Sequence, residues 1–199
     1  MNRLPAPRAP RHFALIALCL ALLSACGGSS EWQELTISEG GFSVLMRGQA
    51  RYARQPVDTP GGKTSAHLYS SDRPDAFFAV GYSDYPLAFV LASRPEDLLN
   101  GVRDTWIRRI EGKLLVSSPV KLQGQYSGIE FMGEGAVKGE SAFLHARVFL
   151  VDQRLYQVIS MARKNQISQG VINRYLNSFR IVPASESGMI QLGPQPGEK

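Results

Sequence analysis

Apolar and polar residues alternate at Phe42, Val44 and Met46, the period of a half-buried strand, and an apolar element from Trp32 to Ile37 precedes it. Residues 50–57 predict another strand, and Asp58-Thr59-Pro60-Gly61-Gly62 predicts a turn. Two further strands are expected over 63–70 and 76–84, separated by Ser71-Asp72-Arg73-Pro74. The period then changes. Leu98, Leu99, Val102, Trp106 and Ile110 recur on one side of a helix starting near Arg94. Ser93 is its expected N-cap, Pro95 suits the first turn, Glu96 and Asp97 complement the dipole, and Gly112 is a natural stop.

A second strand series follows at 114–122, 126–134 and 140–151. The sharpest hairpin signal joins Val148–Val151 to Leu155–Met161 through Asp152-Gln153. A closing helix is expected from about Ile167 to Phe179, with Val171, Ile172, Tyr175, Leu176 and Phe179 as its apolar face. From Pro183 the chain is rich in Gly, Pro and polar residues and reads as disordered. Strands, a helix, more strands and a final helix predict an α+β fold in which helices flank an antiparallel sheet. The hairpin-sized connections exclude a parallel Rossmann arrangement.

The N-terminus has its own pattern. Arg3, Arg8 and Arg11 precede an apolar run from Phe13 to Leu23, which has the length of a secretory core and is too short to span a bilayer as a helix. It ends in Leu23-Ser24-Ala25-Cys26, which resembles the bacterial lipobox. That resemblance implies cleavage before Cys26, a diacylglyceryl group on its sulfur and an acylated amine. Two or more chains anchor a protein stably, where one does not. The alternative is an ordinary signal peptide with a cysteine beside its cleavage site. Gly27 is not the Asp that retains many such lipoproteins in the inner membrane, so the sorting rule implies the outer membrane, facing the periplasm. The expected organisation is a signal peptide over 1–25, a tether over 26–31, a domain over 32–182 and a tail over 183–199.

This processing changes the charge. Arg3, Arg8 and Arg11 leave with the signal, so 19 of the 22 basic residues remain against 17 acidic ones. That balance carries no footprint for nucleic acid, which needs a clustered basic face. Cys19 leaves too, and a lipidated Cys26 excludes an internal disulfide or thiolate chemistry.

Several short patterns resemble the PsbP-like group of small exported or lipid-anchored domains. They are Trp32 with Gly41-Phe42-Ser43-Val44, then Val80-Gly81-Tyr82-Ser83-Asp84-Tyr85-Pro86. The paired Ala146-Arg147-Val148-Phe149-Leu150 and Arg154-Leu155-Tyr156-Gln157-Val158 and the closing Leu176-Asn177-Ser178-Phe179 complete the set. The resemblance implies an α-β-α sandwich around an antiparallel sheet. It also implies action by binding proteins, since the group includes a photosystem II extrinsic subunit and shares its fold with a Ran-binding import factor. It does not supply the partner.

Candidate chemistry is sparse. Gly61-Gly62-Lys63-Thr64 lacks the first glycine of a phosphate loop, because residue 57 is valine, and a turn is the better reading. Gly133, Gly135 and Gly139 have the wrong spacing for a dinucleotide fingerprint and are expected in a hairpin loop. With simple pairings, Glu130, His145 and Ser160 fall in one cross-strand row, which has the chemical identities of a hydrolytic triad. No nucleophile elbow accompanies it, and a slip in register abolishes it. After cleavage only His67 and His145 remain as histidines, too few and too separated for a metal site. No cofactor is implied. Aromatics are enriched in recognition sites, though most build cores. Tyr82, Tyr85, Arg147 and Tyr156 are accordingly the candidate binding residues.

The expectation is a non-enzymatic, lipid-anchored envelope domain that binds an envelope protein or assists its assembly. The first alternative is a binder of a small apolar or lipid-like ligand held between a helix and the sheet. The second is a serine-type hydrolase.

Overall fold

The computed structural model describes residues 32–59, 61–137 and 139–182. The expected signal peptide, the tether with Cys26 and the tail from 183 lie outside the described residues. Within them the chain runs β1 (Trp32–Ile37), β2 (Phe42–Arg47), β3 (Arg51–Thr59), β4 (Gly62–Asp72) and β5 (Phe77–Asp84). It continues through α1 (Leu87–Ala92), α2 (Pro95–Arg109), β6 (Lys113–Leu122), β7 (Tyr126–Val137), β8 (Glu140–Val151) and β9 (Arg154–Ala162). α3 (Gln169–Asn177) and β10 (Arg180–Ile181) close it.

Seven strands form one antiparallel sheet in the order β3-β4-β5-β9-β8-β7-β6, and β1-β2-β10 form a second, smaller one. The fold is α+β with helices flanking an antiparallel sheet, as expected, although the sequence pattern did not separate the two sheets. β9 lies at the centre of the large sheet. Its Leu155, Tyr156, Val158 and Ile159 are all buried because both faces are covered. One face carries the small sheet and α3, with Phe42, Val44, Met46, Tyr82, Tyr156, Tyr175 and Phe179 in a shared core. The other carries α2, with Leu99, Ile110, Phe131, Leu144, Leu155 and Ile159. Burying each large side chain of these cores contributes about 1.5–3 kcal/mol.

The edge strands β3 and β6 are largely exposed. Pro56 and Pro119 sit in them, and β6 is irregular between Leu114 and Val116; all three features blunt an open edge. Asp152 takes the left-handed conformation (φ 53°), which closes the predicted β8–β9 hairpin with Val151 opposite Arg154.

Three local readings differ from the pattern. Residues Leu87–Ala92 form α1, and Ser93 closes that helix by donating its hydroxyl to the Phe89 carbonyl at 2.7 Å, so Arg94 caps α2 instead. Gly133 and Gly135 lie inside β7 rather than in a hairpin loop. There they admit the end of α2. A Cβ on Gly135 would stand 2.2 Å from the Ile110 carbonyl oxygen, which accepts from Ala136 N–H at 2.7 Å. Finally, the β7–β8 turn lies beyond Val137, which pairs with Glu140, and this places Glu130 opposite Arg147.

Candidate functional site

α2 packs chiefly over β7 and β8. Its other flank overhangs β4, β5 and β9 without touching down fully, and a groove of about 430 Å³ remains between them. That volume lies within the range of small-molecule sites. The strand alternation sends Ala66, Leu68 and Ile159 into the floor, while Leu98, Val102 and Trp106 form the helical wall. Gln55, Val57 and Thr59 of β3 make the outer rim, and Tyr85 stands at one end, stacked against Phe89 at 6.1 Å. Burial pushes the Tyr85 hydroxyl up, so it is a neutral donor across the physiological range.

Two glycines keep this space open. Gly81 lies in the floor, where a Cβ would meet the His67 carbonyl oxygen at 2.8 Å. Gly101 lies in the wall, inside α2, and a Cβ there would meet nothing within 4 Å. A helix-interior glycine costs about 1 kcal/mol relative to alanine. No packing contact at Gly101 offsets that cost; the residue opens onto the groove. The wall is tied to the floor at one point, where Trp106 Nε1 donates to Gln157 Oε1 at 2.6 Å.

The opposite face of the same strands holds a different cluster. The Tyr82 ring stacks on His67 at 4.5 Å, with the planes 8° apart, and the Arg154 guanidinium lies over its other side at 4.6 Å. Arg154 donates twice to Asp84, at 2.6 and 2.7 Å, and once to the Glu39 carbonyl at 2.9 Å. The Asp84 hydrogen bonds raise the Arg154 pKa, and the bond to Glu39 fixes the β1–β2 turn over the ends of β5 and β9. His67 in turn shares a 2.9 Å hydrogen bond with the exposed Tyr52. Burial, with Glu39 nearby, pushes the Tyr82 hydroxyl up to about 12. This ladder is filled by its own stacked rings.

The four sequence candidates therefore separate. Tyr82 and Tyr156 are brought together, opposite one another, but inside the core. Arg147 is elsewhere, donating to Glu130 at 2.6 Å and to the Leu176 carbonyl at 3.2 Å, where it holds the end of α3 on the sheet. Only Tyr85 presents its side chain to the groove. The triad row does not assemble either. His145 stands opposite Ser160 and Met132, but Glu130 is two pairs further along and is taken by Arg147. Ser160 is buried, and among the described residues its hydroxyl has no hydrogen-bond partner. Among the described residues no group of three or more His, Cys, Asp or Glu gathers in a way that could hold a metal.

The groove residues Gly101, Val102, Leu98 and Gln157 were not singled out as a site from the sequence. A glycine in the middle of an otherwise strong helical pattern was the available signal.

No family model matches the chain, and no curated protein matches its sequence. Among solved structures, it is similar to the solution structure of cyanobacterial PsbP (CyanoP) from Synechocystis, with TM-score 0.52 and 14% identity, covering 80% of this chain and 99% of that one. This likeness shows the PsbP-like fold. A Pseudomonas aeruginosa protein of unknown function is similar at TM-score 0.32 and 11% identity, over 84% of this chain and all of the other, too distant to bear on the fold.

Proposed function

We propose that this chain is a non-enzymatic binding domain, held at the periplasmic face of the outer membrane by lipid on Cys26, that takes a small apolar or lipid-like ligand between α2 and the sheet. The observation that carries the reading is the groove, with an apolar floor and wall kept open by Gly81 and Gly101. An unfilled apolar recess beside a packed core is a cost to folding that occupancy by a ligand offsets. The lipobox pattern of Leu23-Ser24-Ala25-Cys26 supports the anchor.

Native mass spectrometry of the protein extracted from membranes tests this reading. A copurifying apolar species is expected on the wild-type chain and absent from Gly101→Leu. Equal loading of both chains, or of neither, would sink the groove as the site.

A second reading, recognition of an envelope protein, is favoured by one feature. Leu114, Leu115 and Val116 are exposed side by side on the edge strand β6, and such an apolar patch suits burial against a partner protein's surface. Photocrosslinkers placed at 114 and 116 in intact cells should capture one specific protein if this reading holds.

A further inference from the structure

The charged groups around the groove are asymmetric. At the N-terminal end of α2, Asp97 is held by both nitrogens of the Arg94 fork, at 2.8 and 3.0 Å. That hydrogen-bonded pairing also lowers the Asp97 pKa. Asp58 borders the groove from β3, but alternation turns its side chain to the opposite face. At the C-terminal end, Arg108 and Arg109 both line the groove. Neither pairs with a carboxylate among the described residues. Arg109 instead lies over the Trp106 ring at 5.0 Å, and Arg108 donates to Thr105 Oγ1 at 2.9 Å. Thr105 donates in turn to the Gly101 carbonyl at 2.8 Å, so this guanidinium is folded back along the groove flank.

The wall between these ends is Leu98, Gly101, Val102 and Thr105, one face of the helix at i, i+3, i+4 and i+7. From Leu98 to Arg109 it runs about 16 Å. A mostly apolar trough of that length, with Tyr85 at one end and two guanidiniums at the other, is complementary to one chain and one anionic head.

We propose that the ligand is a single-chain amphiphile with an anionic head of the fatty-acid type. Its chain lies between Leu98, Val102 and the strand floor, and its carboxylate is received by Arg108 and Arg109. This rests on the groove reading and narrows it to a ligand class. The guanidinium fork suits a carboxylate in two parallel hydrogen bonds. The head stays at the open rim, where its charge keeps partial contact with water, so no unpaired ion is buried.

The test uses the full chain in cells and three photoreactive probes with the same diazirine-bearing alkyl chain. One ends in a carboxylate, one in an alcohol and one in a trimethylammonium group. Capture on the 98–109 peptide is measured by mass spectrometry. The carboxylate probe is expected to label that peptide about tenfold more than the alcohol, a difference of one decade in affinity. In Arg108→Gln/Arg109→Gln, labelling by the carboxylate should fall to the alcohol's level. In Gly101→Leu, labelling by every probe should vanish while the thermal melt shows a folded domain.

Equal labelling by acid, alcohol and ammonium, still abolished by Gly101→Leu, would overturn the anionic head and leave the groove reading standing. Labelling of the peptide that Gly101→Leu does not change would overturn both. The arginine double variant lies on the surface and keeps the head-group question answerable if Gly101→Leu does not fold.

Discussion

Tyr82 and Tyr156 stand opposite one another in the β5–β9 ladder, with ring centroids 6.4 Å apart, yet only one hydroxyl is satisfied. Tyr156 donates to the Gly40 carbonyl at 2.7 Å in a buried bond that spans 116 residues of sequence. The Tyr82 hydroxyl is buried and has no partner among the described residues. Removing the two oxygens should therefore have different effects. Tyr156→Phe strands the Gly40 carbonyl and should cost about 1–3 kcal/mol, whereas Tyr82→Phe removes an unpaired group and should be neutral or stabilising. Urea denaturation of the two variants measures the contrast.

Gly135 and Gly101 give a second contrast. An added Cβ at Gly135 collides with backbone at Ile110, which cannot move without displacing the end of α2. Gly135→Ala should cost about 1–3 kcal/mol or more. Gly101→Ala meets open space in a helix and should stabilise by up to about 1 kcal/mol. A melt in which both substitutions destabilise equally would contradict the placement of Gly101 on the groove.

The Trp106–Gln157 bond predicts non-additivity. Gln157→Leu leaves the indole N–H unpaired in a half-buried position and should cost about 1–2 kcal/mol. Combining it with Trp106→Phe should cost less than the two single changes together. A double-mutant cycle with no coupling energy would show that this bond does not hold α2 to β9.

His145 predicts a pH dependence. Burial holds its imidazole below the ordinary 6.5, and Glu130 only partly opposes that shift. Between the depressed value and 6.5 the unfolded chain binds a proton that the folded chain does not, so stability falls as pH is lowered through this window. Above it the ring is neutral in both states and contributes no slope. His145→Gln should flatten the stability profile in the window just below pH 6.5. A slope of unchanged size in the variant would assign it to other groups.

The proposed anchor predicts a processing defect. Cys26→Ser should abolish incorporation of labelled fatty acid and leave the precursor uncut by the lipoprotein-specific protease. Normal cleavage in that variant would return the N-terminus to an ordinary signal peptide.

Much of the fold was legible because its strands have a strong local signature. Phe42, Val44 and Met46 alternate in sequence and point into one core in space. The hairpin at Asp152 was fixed by a two-residue turn between apolar runs. α1 was missed because Leu87-Ala88-Phe89-Val90-Leu91-Ala92 is apolar on every side and too short to show a helical period. The row of Glu130, His145 and Ser160 was displaced because its register depends on where one turn closes, and the patterns on both strands tolerate a shift of two residues without changing face.

By itself, then, the sequence determined what depends on neighbours along the chain: the alternation of the strands, the faces of α2 and α3, the basic and apolar pattern before Cys26 and the PsbP-like order of elements. Tertiary structure alone decided which side chains meet across the sheet. It sent Tyr82 and Tyr156 into the core and turned Arg147 to the end of α3. It also left Gly101 and Gly81 facing an unfilled space. A cavity is a relation between elements far apart in sequence, here α2 and the strands from β3 to β9, and no local propensity encodes the gap that remains when they pack.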